Sequence, residues 1–403
     1  MELFLLEHKK LWRKKSVKIS VLLCFVYTVI FGSILSFQWF SFGSSDDYTS
    51  AFGNNFDGYE VIRNSQEYSL QFGGKLTDES LQQLVRDYQR MEAMGLEEDL
   101  EKTDWATING WLETLYPELR DTGNPKTMIS YVEPEKLTEF YKRRQQAVED
   151  FLENNGQVGK EKEYLMKMNQ NVNEPFQYEW VEGWSQILGS VVSDFGIIMA
   201  LFLAIVLSPL FAGEWYSNTS SLVLTTKNGW HKIAFAKIFT GIVFTTELFL
   251  MLLVGNVITQ IFFMGTDGSD MPIQMIKLIA IAPMNMLQAE IYEYAFVFLG
   301  AIGFCGVVML ISSIVKSNVS ALLLSLAVVF GPMMITEYLP YRIQKALDLI
   351  PLVGSGADIF RTNTFSILGK TIWSPYLLLT VPVLIGVVCM PLAIRKWSCR
   401  MKV

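Results

Sequence analysis

Cysteine and histidine are scarce in this 403-residue chain, with four of the first and two of the second. Cys24, Cys305 and Cys389 fall in apolar runs and Cys399 in a basic tail. The long polar stretch 41–185 has no cysteine, so no disulfide framework supports it and its stability must come from its own core. His8 and His231 stand alone, and neither an HExxH motif nor a Cys/His cluster is present, which excludes the common metal sites. GxSxG is also missing, and the acid pairs of 41–185 have no nucleophile beside them. No catalytic site is expected, and the chain is not expected to be an enzyme.

Apolar residues are abundant. The chain is 51% hydrophobic with a mean hydropathy of +0.28. Several runs exceed about 18 apolar residues, the length that marks an integral membrane protein. Six spans are expected, at 17–40, 186–211, 233–263, 290–315, 319–336 and 373–394. The first exceeds the apolar core of about 7–15 residues in a cleaved signal, and no small-x-small site follows, so it reads as a retained anchor. The net charge of −7 hides an asymmetry. Residues 41–185 carry 28 of the 40 acids and 14 of the 33 basic residues, a balance of −14, which leaves +7 for the rest. The N-terminus, the 212–232 connector, the turn with Lys316 and the tail 395–403 are basic, and the other connections are acidic or mixed. Basic connections belong inside. The expected fold is therefore an all-α membrane bundle of six transmembrane helices, with N and C termini cytoplasmic. A mainly helical extracytoplasmic domain, 41–185, lies between helices 1 and 2. The chain reads as a multi-pass protein of the cell membrane. Membrane lipid is an expected partner and nucleic acid is not.

Residues 1–16 read as an amphipathic interfacial helix, with Leu3, Leu6, Leu11 and Trp12 on one face and Lys9, Lys10, Arg13 and Lys14 on the other. In the outer domain, strands are expected at 59–62 and 68–72. Thr77 caps a helix over 78–94 that Gly95 ends. A helix over 105–116 puts Ile108, Trp111, Leu112 and Leu115 on one face, and two more follow, one from Pro134 to Asn154 and one over 160–171. Trp180 and Trp184 read as interfacial anchors. Residues 338–372, with Pro340, Pro351, Gly354 and Gly356, read as an outer amphipathic segment.

The connector after the second span reads FAGEWYSNTSSLVLTTKNGWHKIAFAK, from Phe211 to Lys237. Ser217, Asn218 and Thr219 supply N-cap chemistry, Leu222 and Leu224 an apolar face, and Asn228–Gly229 a stop, so a short helix is expected within it. At these residues the chain resembles the ABC-2 type permeases, the membrane subunits of ABC exporters. Glu214 matches that family's Glu after the second span, Thr219 its Thr, and Leu222 and Leu224 its Leu run. Thr226 and Lys237 fall at the family's spacing. Asn218 stands where Gly is usual, Lys227 where Pro is usual and Trp230 where a basic residue is usual.

The resemblance implies that Glu214, Ser217, Asn218, Thr219, Leu222, Leu224, Thr225, Thr226, Lys227 and Lys237 form an ATPase-coupling element. It implies two partners: an ABC ATPase subunit, and a second permease copy or a paralogue. No cofactor is expected on this chain, and ATP and Mg belong to the partner ATPase. Gly369-Lys370-Thr371 imitates the end of a phosphate-binding loop, but Thr364 stands where its first Gly should be, and no LSGGQ-like signature occurs. Asp194 and Glu247, acids inside spans, are candidates for a translocation path, with structural pairing the alternative for Glu247. Glu290 and Glu293 read as interfacial. The implied function is export of an amphiphilic substrate (a peptide, an antibiotic or something lipid-like). The alternative is a non-transporting membrane receptor or sensor whose outer domain binds a ligand or partner.

Overall fold

The computed structural model describes residues 2–37, 48–49, 55–56, 66–67, 73–95, 105–181, 183–185, 188, 194–217, 219, 231–354 and 359–399. Among these, five helical segments are long and apolar enough to cross a membrane: Gly196–Tyr216, Lys232–Met264, Met286–Ile314, Asn318–Tyr338 and Ser374–Cys399. The chain is mainly helical and reads as a membrane protein.

Two helices begin the chain, α1 (Glu2–Trp12) and α2 (Lys15–Phe37). A minimal antiparallel pair follows, β1 (Tyr48–Thr49) with β2 (Asn55–Phe56). The strands expected at 59–62 and 68–72 lie outside the described residues. The polar region is then closed on itself: β3 (Gly74–Lys75) pairs antiparallel with β4 (Gln177–Tyr178). Between these strands lie α3 (Asp78–Ala93), α4 (Trp105–Leu115), α5 (Met128–Tyr131), α6 (Phe140–Asn154) and α7 (Lys160–Asn169). Thr77 caps α3, its hydroxyl accepting from Ser80 N while Ser80 Oγ accepts from Thr77 N. Ile108, Trp111, Leu112 and Leu115 are all buried. The helix expected from Pro134 starts instead at Phe140, after a 3-10 turn at Pro134–Lys136. The cause is tertiary. The Asp78 carboxylate on α3 accepts from Glu139 N at 2.7 Å and Phe140 N at 3.0 Å, which satisfies orphan donors at that helix start.

The second span ends differently from expectation. It consists of α8 (Gly196–Leu207) and α9 (Pro209–Tyr216), so the helix runs past 211 and takes Glu214 out of the connector. Next come α10 (Lys232–Met264), α11 (Met286–Ile314) and α12 (Asn318–Ile335). The start of α11 precedes 290 because Asn285 and Gln288 form a capping box. Residues 338–372 contain α13 (Tyr341–Leu347) and a hairpin of β5 (Thr364–Ile367) and β6 (Lys370–Trp373). Its turn is Leu368–Gly369, with φ of 51° and 78°. Both are positive, which suits the two-residue turn of a twisted hairpin. Gly369-Lys370-Thr371 is thus turn and strand. The last helix, α14 (Ser374–Cys399), absorbs Arg395 and Lys396 of the basic tail.

Two apolar cores result. One joins helices α3–α7 to the α10–α11 connection, through Met271, Ile273, Met275 and Leu278, and to Trp373. The other fills the bundle, from Leu11 of α1 to Trp397 of α14. Helices α11 and α14 cross closely: a Cβ on Gly306 would lie 2.7 Å from Gly386 Cα. Small residues let two backbones approach this closely.

A charged cluster joins α9 and α10 to the first helix

The junction of α8 and α9 is the local origin of the site. Pro209 stands at the first position of α9, where its missing N–H is not needed. The next N–H groups lack helical partners, and Ser312 of α11 supplies one. Its hydroxyl accepts from Phe211 N and Ala212 N, each at 3.1 Å, and donates to Ser208 O at 2.6 Å. One hydroxyl therefore stitches the break and fixes the direction of α9. Phe211 and Trp215 then pack on Trp397, which is fully buried near the end of α14.

That direction places Glu214 against the start of α10. Lys237 Nζ lies 2.7 Å from Glu214 Oε1 and 2.8 Å from Glu7 Oε2 of α1, and donates to Leu210 O at 3.1 Å. Lys10 Nζ of α1 reaches Glu214 Oε1 at 3.2 Å. Lys237 and Glu214 are buried. Four charges, two of each sign, thus tie three chain segments together in a medium where an unpaired charge is costly. Lys14 stands beside them. Burial, then the charges of Lys237 and Lys10, hold its pKa below the usual lysine value.

The sequence-expected residues divide. Glu214 and Lys237 meet directly. Ser217 and Thr219 close the end of α9 rather than cap a following helix: Ser217 Oγ donates to Gly213 O at 2.8 Å, and Thr219 N to Glu214 O at 3.0 Å. The last carbonyls of a helix need donors, and these residues are the nearest ones. Asn218, Leu222, Leu224, Thr225, Thr226 and Lys227 lie outside the described residues, as does the short helix expected there. The two span acids are separate from this cluster and from each other. Glu247 is held by α1, with His8 Nε2 at 3.1 Å from Oε1 and Trp12 Nε1 donating to Oε2 at 3.2 Å. Asp194 is hydrogen-bonded to Tyr27 of α2.

Four participants escaped sequence reasoning: Glu7, Lys10, Lys14 and Ser312. The spacing of Glu7 and Lys10 places them one turn apart on α1, the one available signal, but nothing local shows what that face meets. The face does not all dock. Leu11 is buried, whereas Leu5 and Leu6 are exposed. Glu290 and Glu293, expected at the interface, are buried within the protein, and neither Glu293 oxygen has a partner among the described residues. Close by, Tyr294 donates to Asn256 Oδ1 at 2.5 Å.

The 74–178 domain has its own charged tie. Arg144 of α6 is fully buried. Its guanidinium donates to Leu278 O and Ala280 O, both at 2.9 Å, to Asn169 Oδ1 at 3.0 Å and to Glu174 Oε1 at 3.2 Å. The α10–α11 connection is thereby fastened to α6. Burial raises the Glu174 pKa against the pull of Arg144.

No family model matches the chain, and neither does any curated protein or solved structure.

Proposed function

We propose that the chain is the membrane-spanning permease subunit of an ABC exporter, moving an amphiphilic substrate outward with ATP hydrolysed by a separate subunit. The observation that carries this reading is the contact between Glu214 and Lys237. These residues mark the two ends of the connector that resembles the ABC-2 coupling element. Their buried pairing, braced by α1, makes the base of that connector rigid. A push on the connector is then passed to the second and third spans together.

In this reading α2 is a sixth span, both termini are cytoplasmic, the 74–178 domain faces outward, and the bundle lies in the cell membrane. The Arg144 tie gives the outer domain a mechanical link to α10 and α11, so movement of the bundle reaches the exterior. A second permease copy or a paralogue completes the transport unit, and ATP and Mg sit on the ATPase. The receptor reading draws on the same tie, since a ligand bound outside would act on α11 through it.

Copurification in mild detergent from the native host separates the two. The exporter reading expects a stoichiometric P-loop ATPase that is lost in the Leu222→Glu/Leu224→Glu variant. Absence of any ATPase, under conditions that keep a control ABC complex together, rejects it in favour of the receptor.

A further inference from the structure

Beside the charged cluster lie two adjoining cavities, of about 440 and 360 Å³. They share Lys14, Pro209 and Asn318. The larger is polar, with Lys10, Lys14, Lys237, Ser217 and Thr219 in its wall. The smaller continues between α8 and α12, where Ile205, Val319 and Leu322 supply its apolar lining and Ser16 and Ser208 a polar one. At their junction α12 begins, so the positive end of that helix faces the shared space. Charge in the polar cavity is unbalanced, since three lysines meet two glutamates there. Lys237 and Lys10 use those glutamates. Lys14, half-buried beside the other two, makes no ion pair among the described residues, and burial, then the charges of Lys237 and Lys10, lower its pKa. A complementary demand comes from two acceptors in the wall. Glu214 Oε2 and Asn318 Oδ1 are both buried without a donor, and Glu214 is itself 95% buried, with a relative exposure of 5%.

We infer that this is a binding site for a phospholipid whose headgroup carries both a phosphate diester and hydroxyls, of the phosphatidylglycerol kind. The phosphate meets Lys14 and Lys10 at the start of α12, and the headgroup hydroxyls donate toward Glu214 and Asn318. One acyl chain follows the apolar limb past Ile205 and Leu322. Basic pockets between membrane helices hold anionic headgroups by this combination of charge and adjoining apolar surface. The apolar limb favours a lipid over a free phosphate ester. The inference does not depend on the exporter reading. An anionic lipid here would brace α1 and α12 against α9, the helix that leads into the connector.

The test is thermal unfolding of the purified full-length protein in detergent, with added phosphatidylglycerol, phosphatidic acid, phosphatidylcholine or glycerol 1-phosphate. Phosphatidylglycerol should raise the unfolding temperature most. Lys14→Gln should weaken its apparent affinity about fivefold, the effect of one lysine near a headgroup. Val319→Trp, at an exposed position that tolerates a large side chain, should block the apolar limb and abolish the lipid effect. Equal stabilisation by all three lipids, or none by phosphatidylglycerol, overturns the site. Equal stabilisation by phosphatidic acid and phosphatidylglycerol overturns the role of the hydroxyls. Stabilisation by glycerol 1-phosphate that matches the lipid and survives Val319→Trp overturns the lipid in favour of a soluble phosphate ester.

Discussion

Lys237 on α10 and Glu214 at the end of α9 meet at 2.7 Å, buried, and the same ammonium reaches Glu7 on α1 at 2.8 Å. One cation therefore serves two carboxylates on two helices. Removing it leaves a buried acid, Glu214, and a half-buried one, Glu7, with Lys10 as their remaining ionic contact. Lys237→Met should cost about 3–5 kcal/mol, the usual effect of breaking a buried pair. Lys237→Met/Glu214→Leu should cost less than the two single changes together, with a coupling of about 1–3 kcal/mol. Unfolding of the purified variants in micelles measures this, and additive costs would show that the two residues do not act as a pair.

Arg144 plays the corresponding part in the 74–178 domain. Leu278 O and Ala280 O have no other means of attachment to α6 than its guanidinium among the hydrogen bonds described. Arg144→Leu should release that connection, and hydrogen exchange at 277–282 should rise while α3 and α4 stay protected. A pH effect accompanies it. Because burial raises the Glu174 pKa, folding favours its protonated form. Its contribution to stability is fullest below the ordinary carboxylate value and declines as pH rises through the window up to the raised value. Arg144 opposes the shift, so Arg144→Leu should widen the window and steepen the decline. An unchanged pH profile in that variant would remove Glu174 from the account.

Five of the six expected spans were legible in the sequence for a simple reason. An apolar run as long as 233–263 has few alternatives to a membrane helix, and α10 spans Lys232–Met264. Local chemistry was legible too, as at Thr77 and Gly95, because a cap and its helix are neighbours in the chain. What was hidden depends on distant partners. Asp78 decides where α6 begins, Ser312 carries the break before α9, and Glu7 meets Lys237 across more than half of the sequence. The hairpin at 364–373 was read as part of an amphipathic segment because four-residue strands give too few alternations to reveal a period of two. Glu214 and Lys237 were identifiable as candidates, but their contact was not.

The α11–α14 crossing is a packing prediction. A Cβ on Gly306 would meet Gly386 Cα and O at 2.7 Å, and those are backbone atoms that no rotamer change removes. Gly306→Val should therefore push the helices apart and lower stability by about 1–3 kcal/mol or more. Gly331, whose added Cβ has open space around it, is the control, and Gly331→Ala should be tolerated. Thermal unfolding of both variants in detergent checks the contrast, and equal stability of the two would contradict the close crossing.

Glu247 tests how α1 is held. An α-helix the length of α10 reaches about 50 Å, against about 30 Å of hydrocarbon, so a good part of it must extend beyond the apolar layer. Its first half carries the docked α1, and Glu247 accepts from Trp12 while it faces His8. Glu247→Gln keeps the size of the side chain and one acceptor oxygen but removes the charge that His8 meets. The expected result is faster hydrogen exchange along 2–12 and a loss of about 1.5–3 kcal/mol, the scale of a hydrogen bond to a charged group. The Lys237 cluster should be unaffected, so exchange at 209–216 should stay slow. If α1 exchange does not change, the helix is held by Glu7, Leu11 and the Phe4–Phe239 ring contact instead. Glu247 would then be free to serve the translocation path, and a transport assay on the same variant would be the next measurement.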